Sequence, residues 1–370
     1  MPIFDYIIYK EKSMEIKIIK AGPDQLKAKP RDMSQLGFGD IFADHMFTLN
    51  YEAGKGWFNP TIKPYGDICL NPAAMGIHYG QEIFEGLKAH QGKDGGIYLF
   101  RPKDNFKRFN RSAGRMCMPE VDVDFVLKCM KQLILLDREW IPKNQGASLY
   151  IRPTMIATEP HLGVRPSNAY LFFIIIGPVG AYYKEGLNPV KIYVEDFFVR
   201  TSKGGTGEAK TAGNYGASLL AAEKAKEKGF TQVLWLDAEE KKYIEEVGTM
   251  NMFFVIDNEV VTPPLKGSVL SGITRDSVIQ TVKDWGIKVS ERSLAINDII
   301  EAAKNGRLTE AFGTGTAAVI SPVGEITYKN EDHIIAGGTM GKLSHKLYDE
   351  IIAIQYGEKT DSHGWVERIA

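Results

Sequence analysis

The chain is divided once by a segment that breaks regular structure. GPVGAYYKEGLNP, residues 177–189, contains three glycines and two prolines around two tyrosines, a composition typical of a loop. Strand and helix patterns alternate on both sides of it, as they do in α/β proteins. We therefore expect a two-domain α/β protein. The predicted parts are a smaller domain over residues 1–178, a linker over 179–189 and a larger domain over 190–370.

Before the break, the clearest helix prediction is the segment that ends at Pro142. DVDFVLKCMKQLILLDREWIP has apolar residues at helical spacing. HYGQEIFEGLKAH, residues 78–90, is also predicted to be helical. IYLF, SLYIRPTMIA and AYLFFIIIG are predicted to be strands. Roughly the first 60 residues, with the breakers KAKPRD and GWFNP, are expected to be rich in loops.

After the break, a second alternation of strands and helices is predicted. KIYVEDFFV, QVLWLD and MFFVID have the composition of strands. GASLLAAEKAKEKG, TRDSVIQTVKDWG and LAINDIIEAAKNG are predicted to be helices, each ended by a glycine. AFGTGTAAVISPVG, residues 311–324, is predicted to be a pair of strands joined by a tight turn.

Charge and composition exclude several partners and locations. The net charge of -1 lacks the positive excess that would favour binding to nucleic acid or to an anionic membrane. The longest apolar run, residues 169–177, is shorter than the roughly 20 residues that span a bilayer. The three scattered cysteines do not suit a disulfide scaffold, and the first residues lack a signal-peptide pattern. We expect a cytoplasmic protein whose partners are small molecules, with no nucleic acid and no membrane.

Metal and serine chemistry lack their usual signatures. The seven histidines are dispersed, with no H-E-x-x-H and no cluster of cysteine and histidine at metal-binding spacing. No G-x-S-x-G nucleophile elbow occurs. The sequence therefore predicts neither a metal site nor a serine triad.

The lysine in GGTGEAKT, residues 204–211, permits three interpretations. The stretch differs from the phosphate loop G-x-x-x-x-G-K-[ST] only at Ala209, but the glycines of the following AGNYG are expected to delay the helix that such a loop requires. Lys210 would otherwise be an ordinary solvated lysine. The third interpretation is a nucleophile, because Glu208 is the only other charged residue from Thr206 to Leu220, and desolvation favours a neutral amine.

Features downstream favour the nucleophile. Glu245 and Glu246 should point to opposite faces of a strand, so only one of them can enter a pocket. The amides of Ile273 and Thr274 begin an amphipathic helix, which is a ready anion site. GTGTA, residues 313–317, adds a second turn of amides and hydroxyls. A Schiff-base lysine, a carboxylate and a phosphate cradle are together what pyridoxal 5'-phosphate requires.

These motifs resemble one enzyme family. EAKTAGNYGASL, QVLWLD, EVGTMNMFFV, GITR and FGTGTAAVISPV are similar to those of the branched-chain amino-acid aminotransferases, class IV enzymes with the D-alanine-aminotransferase-like fold. HYGQEIFEGLKA, RFNRSAGRMCMP and SLYIRPTMIATEPHLGV extend the resemblance over residues 37–357. It implies a two-domain fold type IV enzyme with its active site between the domains, and a homodimer whose first domain contributes to the neighbouring site. It also implies pyridoxal-phosphate-dependent transfer of the amino group from leucine, isoleucine or valine to 2-oxoglutarate, giving 2-oxo acids and L-glutamate.

Matching positions imply the role of each site residue. Lys210 would form the Schiff base and shuttle a proton, Tyr215 would bind the phenolic oxygen of the cofactor, and Glu246 would hold its pyridine nitrogen. The phosphate would be bound by Arg108, Ile273, Thr274 and Thr316. The substrate carboxylate would be received by Thr249, Ala317 and Tyr79. Its side chain would contact the aromatic residues Phe38, Phe84 and Tyr150, although core packing is a competing interpretation for Phe84.

Two alternatives stay open at this point. A D-amino-acid aminotransferase or an aminodeoxychorismate lyase would share the fold, and the preferred amino donor would distinguish them. A nucleotide-binding protein would instead bind magnesium–ATP tightly through residues 204–211.

Overall fold

The computed structural model describes residues 14–30, 32, 36–144, 146–180 and 187–370. These residues form two nine-stranded sheets with helices packed against them, which confirms the predicted α/β class. Within these ranges, no helix has the length and apolar character needed to cross a membrane.

The first half of the chain forms most of one sheet. Its strands are β1 (Lys17–Ile18), β2 (His45–Glu52), β3 (Gly56–Pro64), β4 (Glu82–Phe84), β5 (Leu87–Gln91), β6 (Ile97–Phe100), β7 (Ser148–Ala157) and β8 (Ala169–Val179). They are arranged in the order β1-β3-β2-β8-β7-β5-β6, and β4 pairs with β7. The predicted strands IYLF, SLYIRPTMIA and AYLFFIIIG are confirmed.

The second half forms the other sheet. Its strands are β9 (Val190–Glu195), β10 (Gln232–Leu236), β11 (Ile244–Val247), β12 (Met250–Ile256), β13 (Glu259–Thr262), β14 (Val289–Glu291), β15 (Leu308–Gly315), β16 (Val319–Tyr328) and β17 (Glu331–Ile334). They are arranged in the order β11-β10-β9-β16-β15-β12-β13-β14, and β17 pairs with β16. The predicted strand pair around GTGTA is confirmed as β15 and β16.

A last strand, β18 (Val366–Arg368), returns to the first sheet and pairs antiparallel with β6. The predicted division into two domains therefore follows the two sheets except at this strand, and its boundaries stay a prediction. The predicted linker, residues 179–189, lies partly outside the described residues, which omit 181–186.

Seven α-helices in the described part of the chain cover the sheets. They are α1 (Met75–Tyr79), α2 (Pro102–Arg115), α3 (Val123–Leu136), α4 (Ala212–Glu227), α5 (Ile273–Asp284), α6 (Ile296–Lys304) and α7 (Lys342–Gln355). Helices α2 and α3 bury Phe106, Phe109 and Met130 against the first sheet. Helix α6 packs on one face of the second sheet, and α5 and α7 pack on the other.

Three local predictions were wrong. Residues 78–90 form the end of α1 and then β4 and β5, because Gly80 ends the helix in a left-handed conformation. The region before residue 65 contains the β2–β3 hairpin, whose register shifts near Asn59, so Pro60 is accommodated at an irregularity in the strand. Helix α4 begins at Ala212 and includes the two glycines that were expected to delay it.

Candidate active site

A cavity of about 270 Å³ lies where elements of the two sheets meet. The first sheet and its helices contribute β4, β7 and α2 to its wall, while the second half contributes the start of α5 and the β15–β16 turn. Eleven of the predicted site residues line it: Phe38, Phe84, Arg108, Tyr150, Lys210, Tyr215, Thr249, Ile273, Thr274, Thr316 and Ala317. Glu246 borders a narrow adjoining cleft that shares Tyr215, Thr249 and Leu270 with the cavity.

Lys210 is held by its backbone against the first sheet. Its N–H donates to Ser112 Oγ at 2.9 Å, and its carbonyl accepts the N–H of Phe84 at 3.0 Å. Helix α4 starts two residues later and brings Tyr215 back over the lysine. Lys210 Nζ donates to the Tyr215 hydroxyl at 2.7 Å and lies 4.9 Å from the centre of the Phe84 ring. The amine therefore faces the cavity between two aromatic side chains.

The loop before Lys210 does not support the phosphate-loop interpretation. The carbonyls of Gly204 and Gly205 accept hydrogen bonds from Arg115 at 3.2 Å and 3.1 Å, so they face a cation from α2. A phosphate loop instead surrounds an anion with amides and directs its lysine there. Here the lysine amine is bonded to a tyrosine, which favours the nucleophile.

Glu246 is a buried carboxylate with several partners. Its Oε2 lies 2.7 Å from Nε of Arg200, and its Oε1 accepts from the Asn251 amide at 3.0 Å and from the Leu270 N–H at 3.1 Å. Burial raises the pKa of Glu246, and the Arg200 charge and the Leu270 hydrogen bond oppose that rise. Glu245 accepts from the Ser268 hydroxyl and does not line the cavity, so of the two glutamates Glu246 is the one beside it.

Arg108 reaches the cavity, but part of its guanidinium is already hydrogen-bonded to other residues. Its Nε and Nη2 donate to the two carboxylate oxygens of Glu85 at 2.7 Å and 2.9 Å, and its Nη1 donates to the Ser271 carbonyl at 3.1 Å. Burial alone would raise the pKa of Glu85, but the charge and hydrogen bonds of Arg108 outweigh it and hold that pKa below its usual value. Two N–H groups of the guanidinium are left for an anion, because it carries five.

The start of α5 and the β15–β16 turn form a cradle of donors. The first amides of a helix have no partner within it, and those of Ile273 and Thr274 open α5 at the cavity. A side chain on the preceding Gly272 would collide with the Asn251 amide oxygen, so the backbone approaches there closely. Thr314 also lines the cavity; it is buried, and its hydroxyl has no hydrogen-bond partner among the described residues.

The donor set fits pyridoxal phosphate. An anion of phosphate size suits the α5 amides, the remaining Arg108 donors and the unpartnered Thr314 hydroxyl. Lys210 and Tyr215 supply an amine and a hydroxyl to this cavity, and Glu246 supplies a carboxylate in the adjoining cleft, as this cofactor requires. No group of three or more potential metal ligands occurs in the part of the chain that the structure describes.

Aromatic side chains and one cation form the remaining wall. The rings of Phe38 and Tyr150 meet edge to face at 4.9 Å, and Phe84 contacts Tyr215 at 4.8 Å. Arg152 lies over Phe84 and Tyr150, at 4.8 Å and 5.2 Å from the ring centres, and donates to the Tyr150 hydroxyl at 3.0 Å. Its Nε is buried without a hydrogen-bond partner among the described residues.

Tyr79 is the one predicted site residue that lies away from the cavity. It is 39% exposed, and its hydroxyl donates to the carbonyl of Leu162. Leu162, and Val164 two residues further along the chain, are 63% and 84% exposed. Tyr79 therefore belongs to an apolar surface of the chain.

Sequence reasoning missed four polar residues that organise the site. Glu85 orients Arg108, Arg200 and Asn251 hold Glu246, and Arg152 faces the aromatic wall. Two of them carried a signal, because Arg152 and Asn251 are polar residues within strongly apolar strands, SLYIRPTMIA and MNMFFVI. A polar residue that points out of such a strand needs a partner or a ligand.

Comparisons with known proteins agree on one family. The amino-transferase class IV family model matches residues 82–326. The chain is 57% identical over 344 residues to the branched-chain-amino-acid aminotransferase 2 of Bacillus subtilis (strain 168), covering 93% of this chain and 94% of the relative. Its fold is similar to the branched-chain amino acid aminotransferase of Escherichia coli, with a TM-score of 0.74 at 26% identity, over 88% of this chain and 99% of the other. It is also similar to the T.th. branched-chain amino acid aminotransferase complexed with N-(5'-phosphopyridoxyl)-L-glutamate, with a TM-score of 0.71 at 27% identity, over 87% and 98% of the two chains.

Proposed function

The chain belongs to the branched-chain-amino-acid aminotransferases of class IV and is a transaminase, and we propose that it uses pyridoxal phosphate at Lys210. The amino group would pass from L-leucine, L-isoleucine or L-valine to 2-oxoglutarate, giving the branched 2-oxo acids and L-glutamate. One observation supports placing this reaction in the cavity. The Lys210 amine, bonded to Tyr215 at 2.7 Å, shares a cavity with the free amides of α5, and Glu246 lies in the adjoining cleft.

Each polar residue has a defined task in this reaction. Pyridoxal phosphate supplies an electron sink that allows the substrate α-carbon to lose a proton. The Lys210 amine accepts and returns that proton, and the Tyr215 hydroxyl orients it. Glu246 would hold the pyridine nitrogen, and Arg200 and Asn251 keep its carboxylate in place. Arg108, the amides of Ile273 and Thr274, and the Thr316 hydroxyl would hold the phosphate.

The substrate would lie against the opposite wall. The Ala317 amide and the Thr249 hydroxyl would receive its carboxylate, and Phe38, Phe84 and Tyr150 would contact its side chain. A branched aliphatic side chain gains about 25 cal/mol for each Å² of apolar surface removed from water, which suits aromatic contacts. One methylene changes selectivity by only about 1–3 kcal/mol, so all three branched amino acids should be accepted.

Glutamate must use the same site, and Arg152 supplies the charge that it needs. Among the described residues Arg152 has no ion pair, and aromatic faces hold its guanidinium. A γ-carboxylate in the cavity can take hydrogen bonds from it, whereas an aliphatic side chain leaves it stacked on the rings.

We further propose a cytoplasmic homodimer. Tyr79, Leu162 and Val164 are exposed apolar residues. Tyr79 is expected to receive substrate, yet it does not line the chain's own cavity. A second copy of the chain that covered these residues would place Tyr79 at the partner's site. The three cysteines are free, as in proteins of a reducing compartment.

Borohydride reduction followed by peptide mapping tests the assignment. The protein is incubated with pyridoxal phosphate, reduced and digested, and the modified lysine is identified by mass spectrometry. A pyridoxyl group on Lys210 is expected, with none on Lys203 of the same loop and none at position 210 in Lys210→Arg. Activity with L-leucine and 2-oxoglutarate, and none with D-leucine, is expected alongside. Absence of the modification from Lys210 would overturn the proposal.

A further inference from the structure

The turn that would receive the substrate carboxylate has a strained backbone. Gly315 pairs with Val319, so Thr316, Ala317 and Ala318 connect β15 to β16. Val319 has a φ of 62°, a left-handed conformation that β-branched residues rarely adopt. It is also buried, at 3% exposure, within the core beside α5 and α7. Such strain persists only where the surrounding structure holds the backbone in place.

Lys88, on β5 of the first sheet, makes a contact that can hold this turn. Lys88 pairs with Tyr150 across β5 and β7, so both side chains leave the sheet on the face of the cavity. Lys88 Nζ donates to the Ala317 carbonyl at 2.6 Å. The bond joins the two sheets directly at the strained turn.

The chemistry of Lys88 suits a permanent structural bond. Burial lowers its pKa to about 8, so most of the amine is still charged at neutral pH. An ammonium that donates to a carbonyl makes a stronger bond than a neutral donor. Lys88 does not line the cavity, so its effect on a substrate must pass through the turn.

We propose that Lys88 is a positioning residue for the substrate carboxylate, because it holds the β15–β16 turn with the Ala317 amide facing the cavity. This inference rests on the proposed function, which assigns that amide to the carboxylate. When the bond is removed, Val319 relaxes towards ordinary backbone angles and the Ala317 amide turns away. Carboxylate binding then weakens, while the groups that react at Lys210 stay in place.

Binding of a carboxylate that cannot react tests the proposal. The holoenzyme is titrated with 4-methylvalerate, a branched aliphatic acid without an amino group, and Kd is measured by calorimetry. Lys88→Met should bind it about tenfold more weakly or worse, and Lys88→Arg, which keeps the charged donor, should bind nearly as the wild type does. Lys241→Met is the matched control, because the Lys241 amine donates to the Phe197 carbonyl at 2.7 Å away from the cavity. In steady state, Lys88→Met should raise KM for leucine much more than it lowers kcat.

A second substitution separates positioning from general stability. Glycine adopts left-handed angles without strain. Val319→Gly therefore removes the backbone strain that would move the turn once the Lys88 hydrogen bond is lost. Lys88→Met should therefore weaken 4-methylvalerate binding less in the Val319→Gly background, an interaction that a double-mutant cycle measures. If Lys88→Met does not accumulate, Lys88→Gln gives the same comparison.

The outcomes distinguish this inference from the proposed function. If Lys210 is not modified by borohydride, the proposed function fails, and the inference that rests on it fails with it. If Lys210 is modified but Lys88→Met binds 4-methylvalerate as tightly as the wild type, the inference alone is overturned. An equal loss in both Val319 backgrounds also overturns it, because Lys88 would then act without holding the turn.

Discussion

Replacing Glu85 with glutamine should destabilise the protein by about 3–5 kcal/mol, the usual cost of removing one partner from a buried ion pair. Glu85 is fully buried and accepts hydrogen bonds from Arg108 at 2.7 Å and 2.9 Å and from Asn105 at 3.0 Å. Glutamine fills the same space but turns one acceptor oxygen into a donor. Arg108 then lacks its counter-charge, and two donor groups face each other.

The pH dependence of this effect has a defined sign. The hydrogen bonds and charge of Arg108 overcome the effect of burial and hold the folded-state pKa of Glu85 below its ordinary value of 4.5. Ionised Glu85 therefore stabilises the fold above pH 4.5, and the contribution is lost as the pH falls through the folded-state value. The wild type should lose more stability on acidification than Glu85→Gln, so the two curves should converge at low pH.

Glu82, on β4, provides a control whose substitution should change stability in the opposite direction. Burial raises the pKa of Glu82, and Arg152 opposes the rise only in part. Ionised Glu82 therefore costs stability near neutral pH, and Glu82→Gln should be neutral or slightly stabilising. Urea unfolding of the holoenzymes, followed by circular dichroism, measures all three proteins. Equal midpoints for Glu85→Gln and the wild type would refute the view that Arg108 depends on Glu85.

Three further predictions concern the site itself. Glu246→Gln should lower the single-turnover rate constant with leucine by roughly 10²-fold or more, because the buried charge beside the cofactor is lost. An unchanged rate constant would show that Glu246 takes no part in the reaction. Arg152→Met should lower kcat/KM for glutamate by about 10–150-fold, the value of a hydrogen bond to a charged group, and leave leucine nearly unaffected, whereas equal losses for both donors would contradict the role of Arg152. Lys210→Ala and Tyr79→Ala should each be nearly inactive, and unfolding and refolding them together should restore activity through mixed dimers; no recovery would argue against a shared site.

The sequence predicted the elements that depend on local pattern. Helix α3 and the long strands β7 and β8 follow the spacing of their apolar residues, so their positions could be predicted. Residues 78–90 misled the prediction, because their apolar residues suit a helix as well as two short strands. Only pairing of β4 and β5 with β7 decides between the two, and that pairing is not encoded locally.

The site residues divide in the same way, into those that a local motif identifies and those whose role depends on the folded chain. Resemblance to a family selects residues at motif positions, and eleven of them line one cavity. Glu85, Arg200 and Lys88 act on those residues from distant parts of the chain, as Lys88 does on Ala317. Their importance comes from burial and from a partner distant in sequence, and neither is visible until the chain is folded.

The return of β18 to the first sheet has a consequence for synthesis of the protein. β18 occupies the edge beside β6, and the Trp365 carbonyl accepts the N–H of Arg101. A ribosome makes the other eight strands of this sheet first and then the whole second sheet before it reaches β18. The amino-terminal half of a chain usually folds as it emerges, but here its edge at β6 must wait, unpaired, until the whole second sheet has been synthesised.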